Sequence, residues 1–341
     1  MIKIKVSLLD DLYKKIAETY PLYLPVEVAG EVNYGKYNAD SKVRLDVLKT
    51  VKSPKDAFFP QSENLVKFKV DGQKIEVIDV REEAKPFVVM GVRACDYKAF
   101  DVLDRVFLVD PLDTYYQTKR AAGIVITAAC GRPDETCFCT VFGIDPTDPK
   151  GDVTTWLVDG YLYWRANTAK GEELTEKISS LAEETDGKAV DKQKEEVKKI
   201  LKKLPNAKIK PEVFNENMLD LFYDEKWQNL SEACLGCGTC TFVCPTCQCF
   251  DIKEFLTNDG VNRFRCWDSC MYKDFTKTAG GQPRPTQMQR FRQRFMHKLV
   301  YYPKNNGGLY SCVGCGRCVK KCPQHLNIVK VIKAFGGDDN E

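Results

Sequence analysis

The sequence predicts an α+β fold in two parts: an N-terminal α/β domain over residues 1–215, then a mainly helical, cysteine-rich domain over 216–341. Three observations lead there. At 341 residues the chain exceeds the size at which a single core stops growing comfortably. Its first 94 residues hold no cysteine and alternate helical and β-rich patterns, whereas most of the 16 cysteines crowd beyond residue 233. A break in pattern separates the two regions.

The elements follow in order. MIKIKVSLLDDLYKKIAETY reads as a short strand and an amphipathic helix over 7–18, and it lacks the features of a secretory signal. Residues 65–70, 74–80 and 87–92 are β-rich, and the last run leads into a Cys-containing segment. The apolar run 123–129 is of the buried-strand type and ends at Cys130-Gly131. Asp159-Gly160 inside 156–164 marks a hairpin. Residues 172–204 carry apolar positions at helical spacing in a Glu- and Lys-rich background, which predicts one or two solvated helices. Pro205 and Pro211 end that pattern and place the boundary near 215.

Composition narrows the function. With 51 Lys and Arg against 48 Asp and Glu, a net charge of +3 argues for neither nucleic acid nor a membrane surface. No apolar stretch is long enough to span a bilayer, so a cytoplasmic location is expected. Sixteen cysteines in a reducing compartment point to metal binding or catalysis rather than disulfides. Two histidines, His297 and His325, are too few for a His-rich site.

Cys234, Cys237, Cys240 and Cys244 precede Pro245, and Cys312, Cys315, Cys318 and Cys322 precede Pro323 with identical spacing. This Cys-x2-Cys-x2-Cys-x3-Cys-Pro run holds 4Fe-4S clusters in two-cluster ferredoxins, where the fourth Cys ligates the other cluster. The expected sets are therefore Cys234, Cys237, Cys240 and Cys322 for one cluster, and Cys312, Cys315, Cys318 and Cys244 for its neighbour. Zinc modules use two well-separated Cys pairs, and four Cys in tandem do not fit that pattern.

Residues 246–311 separate the runs as an insertion expected to be helical. Within it Cys247, Cys249, Cys266 and Cys270 offer a further four-thiolate site, against the reading that they are small core residues beside the clusters. Upstream, Cys95, Cys130, Cys137 and Cys139 each follow a β-run. They suit a third cluster, reduced structural thiols, or a reactive thiol at Cys95 with its pKa lowered by Arg93. Arg284, Arg290, Arg292, Arg294 and Lys298 lie on a helix with apolar Met288, Phe291, Phe295 and Leu299. The expected arrangement is a solvated basic face, with shielding of cluster charge as the alternative and His297 as a packing residue.

The order GVRACD (91–96), CGRPDETCFC (130–139), CLGCGTCTFVCPTCQCFD (234–251), WDSCMYKDFTKTAGG (267–281), RQRFMHKLVYYP (292–303) and CVGCGRCVKKCP (312–323) resembles the beta subunit of soluble sulfhydrogenases and the A subunit of anaerobic sulfite reductases. The resemblance runs from residue 58 onward. It implies an electron-transfer subunit between a flavin/NAD(P)H-binding subunit and a catalytic redox subunit, a hydrogenase or sulfite reductase, with ferredoxin as a further partner. It also favours a third cluster at Cys95, Cys130, Cys137 and Cys139.

The sequence has neither a Gly-x-Gly-x-x-Gly dinucleotide loop nor a Walker loop, so no nucleotide or flavin is expected on this chain. Rival readings are a self-contained reductase of a sulfur compound using Cys247, Cys249, Cys266 and Cys270, and a cluster-assembly scaffold.

Overall fold

The computed structural model describes residues 1–81 and 85–337. Its strands are β1 (Ile2–Lys5), β2 (Leu22–Val28), β3 (Glu31–Lys36), β4 (Ser62–Asp71), β5 (Lys74–Asp79), β6 (Phe87–Val92), β7 (Gly123–Ala128), β8 (Val153–Val158), β9 (Tyr161–Ala166), β10 (Glu183–Glu184), β11 (Phe250–Thr257) and β12 (Gly260–Trp267). The larger sheet has the order β10-β1-β9-β8-β7-β6-β2-β3, with β2, β6, β7 and β8 parallel.

β6 reads FVVMGV and is buried at every residue, as a parallel strand covered on both faces should be. On one face Val88, Met90, Ile124 and Ile126 pack with Leu12, Tyr13 and Ile16 of helix α1 (Leu9–Ala17). On the other, Val89, Val92 and Val125 meet Phe100, Leu103 and Phe107 of α2 (Ala94–Phe107) and Tyr116 of α3 (Thr114–Ala122). Because β6 and β7 are parallel neighbours, their carboxyl ends lie side by side. That rim, where open α/β sheets carry their functional groups, receives Cys95 from one strand and Cys130 from the next.

The solvated helices of 172–204 are α4 (Ala169–Lys177) and α5 (Lys188–Leu201). The hairpin of β2 and β3 is not among the β-rich runs named from the sequence, and it holds Pro25 inside a strand, where proline is ordinarily disfavoured. Pro25 lies past Leu22 and Tyr23, the two residues that pair with β6, so its missing N–H costs no bond on that side.

The second sheet, β11-β12-β4-β5, is antiparallel. It corrects the expectation that 246–311 is helical: residues 250–267 form a hairpin whose two-residue turn is Asn258-Asp259, with Gly260 at positive φ closing it against Thr257. β12 docks on β4, so the sheet takes two strands from each side of residue 215. Buried Arg265 pairs with Glu63 at 2.6 Å and with Asp113, and Trp267 stacks on Phe59. Helix appears only from Gln287–Met296, continued by a π-helical turn at His297–Tyr301. Around it Trp227, Phe291, Phe295, Leu299, Ile328 and Ile332 form a separate core, into which Phe138 of the N-terminal region inserts.

Candidate metal centres

All sixteen cysteines are free thiols, and twelve of them gather in three groups of four. Cys234, Cys237, Cys240 and Cys322 line one recess, so Cys322 leaves its own run for the other one. Cys312, Cys315, Cys318 and Cys244 neighbour one another closely enough for their charges to interact. Cys95, Cys130, Cys137 and Cys139 line another recess, which Cys315 and Gly314 also border. Among the described residues no three His, Cys, Asp or Glu side chains converge as ligands of a single ion would; the thiols stand around a space instead.

The second group lies between the other two. Cys240 feels Cys318 and Cys244 on one side, and Cys139 feels Cys315 on the other. The loops are in direct contact there: Phe138 N–H donates to the Gly314 carbonyl at 3.0 Å. A Cβ on Gly314 would stand 2.4 Å from the Phe138 carbonyl oxygen, and one on Gly316 2.3 Å from that of Thr136. Both glycines also have positive φ, so side chains are excluded on steric and conformational grounds alike.

A buried ion pair locks the same contact. Arg317 Nη1 and Nη2 donate to Asp96 at 2.5 and 2.7 Å, and its Nε donates to the Thr50 carbonyl at 3.0 Å. The pair is 3% and 1% exposed. A charged pair this deep is tolerable only with such bidentate hydrogen bonding.

Burial decides the state of the thiols. It pushes Cys95 well above the usual value, reinforced by Asp96. It raises Cys130 to about 11 and Cys315 to about 12. Arg93 does not activate Cys95, since its guanidinium donates to the Ala129 and Val47 carbonyls, both at 2.7 Å. The reactive-thiol option is thereby corrected. Cys237 differs: it is exposed, and its hydrogen bond with Thr239 at 3.4 Å holds it below the usual thiol range.

Cys247, Cys249, Cys266 and Cys270 do not converge. The Cys247 thiol donates to Cys244. The Cys270 thiol donates to Cys249 and, with Lys298 and Lys55 nearby, holds it at about 7 against burial. Cys266 lies apart on β12, opposite Asp251 and Ser62, because the hairpin register carries it away from the other three.

The solvated basic face is also corrected. Arg290, Arg294 and Lys298, four residues apart, fall on the buried side of the helix at 8%, 3% and 4% exposure. Lys298 Nζ donates to Thr246 Oγ1 at 2.8 Å and to the Ser311 carbonyl at 3.2 Å. His297 packs edge-on against Tyr302, and burial lowers its pKa to about 4. Sequence reasoning missed Lys55, which donates to the Cys247 carbonyl at 2.8 Å, and Gln287, whose amide donates to Cys234 Sγ at 3.2 Å. It also missed the Asp96–Arg317 pair. Only the four-residue spacing of the basic helix offered a signal.

Among the described residues no helix is long and apolar enough to cross a membrane. A family model described as a 4Fe-4S dicluster domain matches residues 233–326. The chain is 31% identical over 335 residues to sulfhydrogenase 2 subunit beta of Pyrococcus furiosus, covering 97% of each chain. No solved structure matches it.

Proposed function

The chain belongs to the sulfhydrogenase beta-subunit family, and from that premise we propose that it is the electron-transfer subunit of a multi-subunit redox enzyme, holding three 4Fe-4S clusters in a row. Cys234, Cys237, Cys240 and Cys322 would hold the first, Cys312, Cys315, Cys318 and Cys244 the middle one, and Cys95, Cys130, Cys137 and Cys139 the last. The residues fit this group. The first and last donor sets are four sulfurs around a recess, the middle four lie close enough for their charges to interact, and no cysteine is committed to a disulfide.

When bound, such clusters supply one-electron transfer at potentials the protein sets within about −700 to +450 mV. The chain's own residues do the rest. The apolar walls formed by Met271, Phe291 and Leu326 limit water at the first recess. Arg317 and Asp96 clamp the third site onto the second. The observation that carries the reading is the loop contact at Gly314 and Gly316, where the absence of a Cβ lets the loop carrying Cys137 and Cys139 close against the loop of the second thiol group.

The partners are a flavin/NAD(P)H-binding subunit and a catalytic redox subunit of hydrogenase or sulfite reductase type, with no flavin or nucleotide on this chain and a cytoplasmic location. Iron and acid-labile sulfide per chain, with EPR of the reduced protein, test the cluster number. About twelve irons are expected, four per cluster. About eight would overturn the third site, about sixteen would bring in Cys247, Cys249 and Cys270, and zinc in place of iron would overturn the whole reading.

A further inference from the structure

We propose that Lys298 and Lys55, with Arg294 on the boundary toward the first site, make the middle cluster of the row the most readily reduced of the three. The inference deepens the three-cluster reading and rests on it. All three cations are buried, at 4%, 3% and 2% exposure. Among the described residues none of them is paired with a carboxylate: Lys298 is held by Thr246 Oγ1 and the Ser311 carbonyl, and Lys55 by the Cys247 carbonyl and the Trp267 ring 3.8 Å away. The Nε of Arg294 is buried without any hydrogen-bond partner.

An unpaired cation in the interior is costly, and such groups ordinarily find an opposite charge or give up their own. What these three face is sulfur. Lys298 is surrounded by Cys244, Cys247 and Cys312, Lys55 by Cys247 and Cys244, and Arg294 by Cys240, Cys318, Cys247 and Cys244. Lys298 and Lys55 share the Cys244 side of the second thiol group, whereas Arg294, with Cys240 as its first neighbour and a place in the wall of the first recess, stands between the first and second groups. The anion that offsets the burial of the two lysines is the group the second set of thiols holds.

The other two sites are arranged differently. At the N-terminal site Lys49 is neutralised by Asp134 at 2.8 Å and Asp96 is neutralised by Arg317, which leaves half-buried Arg93, held by backbone carbonyls, as the cation facing Cys130. At the far end Cys237 is open to solvent, where water screens charge strongly. Excess buried positive charge is therefore concentrated at the middle site. One-electron reduction adds one negative charge, which nearby cations stabilise, and the effect is largest in a low-dielectric interior. Local charge is one of the levers by which a protein sets cluster potential. An electron entering at either end would then come to rest in the centre.

Lys298 and Lys55 act here as positioning residues for charge, and potential reads their effect directly. The experiment is an EPR-monitored redox titration of the iron-loaded full chain, with iron counted on every sample. In Lys298→Met the most positive of the three one-electron transitions should fall at least tenfold in its reduction equilibrium constant, about 59 mV, while the other two hold. Lys298→Arg, which keeps the charge, should restore it, and Lys55→Met should move the same transition in the same direction. Full iron with all three transitions unchanged would overturn the proposal, as would an equal shift of all three or a shift confined to another transition. If Lys298→Met retains less iron than the parent chain, the same readings on Lys55→Met decide. Failure of the three-cluster reading itself would be seen separately, as a parent chain without about twelve irons.

Discussion

The two ends of the thiol row hold the same donors in opposite surroundings. At the C-terminal end Cys234, Cys237 and Cys240 come from one tight loop, and only Cys322 is brought from elsewhere. Cys237 is exposed and its thiol lies below the usual range. At the N-terminal end Cys95, Cys130, Cys137 and Cys139 are collected from the rims of two parallel strands and the loop beyond. Three of them are buried, and burial raises Cys130 to about 11. A site built locally can stand at the surface and meet a partner. A site assembled from distant segments must be enclosed and locked by contacts that bind no metal themselves.

The lock is where that contrast breaks most readily. Asp96→Asn would leave Arg317 buried without its counter-charge, and removing one partner of such a pair costs about 3–5 kcal/mol. Denaturant unfolding of the iron-loaded chain should show that loss. A cost below about 1 kcal/mol, the range of an exposed pair, would mean that the N-terminal end is not held by this clamp.

Next in size is the loop contact. Gly314→Ala or Gly316→Ala should push the loops apart and drop iron by about four per chain, one cluster's worth, with the Cys237 end retained. Gly307→Ala, which also has positive φ but open space around it, should keep full iron. Equal iron in all three variants would show that the N-terminal site assembles without the contact.

The smallest expected effect sharpens the contrast in exposure. Only thiolate is nucleophilic, and its fraction rises as pH climbs through the pKa. On iron-free chain, iodoacetamide near neutral pH should modify Cys237 first, since its pKa lies below the ordinary value. Cys130, raised to about 11, should react only in strongly alkaline solution. Peptide mass mapping over a pH series reads the order, and similar profiles for the two would erase the distinction between the ends.

These differences explain what was legible beforehand. The tandem runs could be read because cysteines three positions apart, with two residues between them, are set by local chain geometry, and the exchange of Cys244 and Cys322 follows from the direction in which the fourth Cys leaves its loop. The N-terminal four were legible as candidates only, because their meeting depends on β6 and β7 being parallel neighbours. Cys266 was grouped with Cys247, Cys249 and Cys270 by proximity in sequence, yet the register of β11 against β12 sets it opposite Asp251. That hairpin was itself read as helix although Asn258-Asp259-Gly260 signalled a turn. Arg290, Arg294 and Lys298 read from sequence as a solvated face because basic residues are normally exposed; here buried sulfur lies opposite Arg294 and Lys298.

The sequence by itself determined the donor chemistry: how many cysteines, in which runs, and hence an iron–sulfur protein, since spacing within a loop is a covalent matter. Only the tertiary structure decided which thiols share a recess, that Gly314 and Gly316 let two of the sites touch, and that Lys55 and Lys298 are buried beside the middle one with Arg294 between it and the first. Those outcomes rest on strand register and on contacts between residues as far apart as Asp96 and Arg317, which no local pattern encodes.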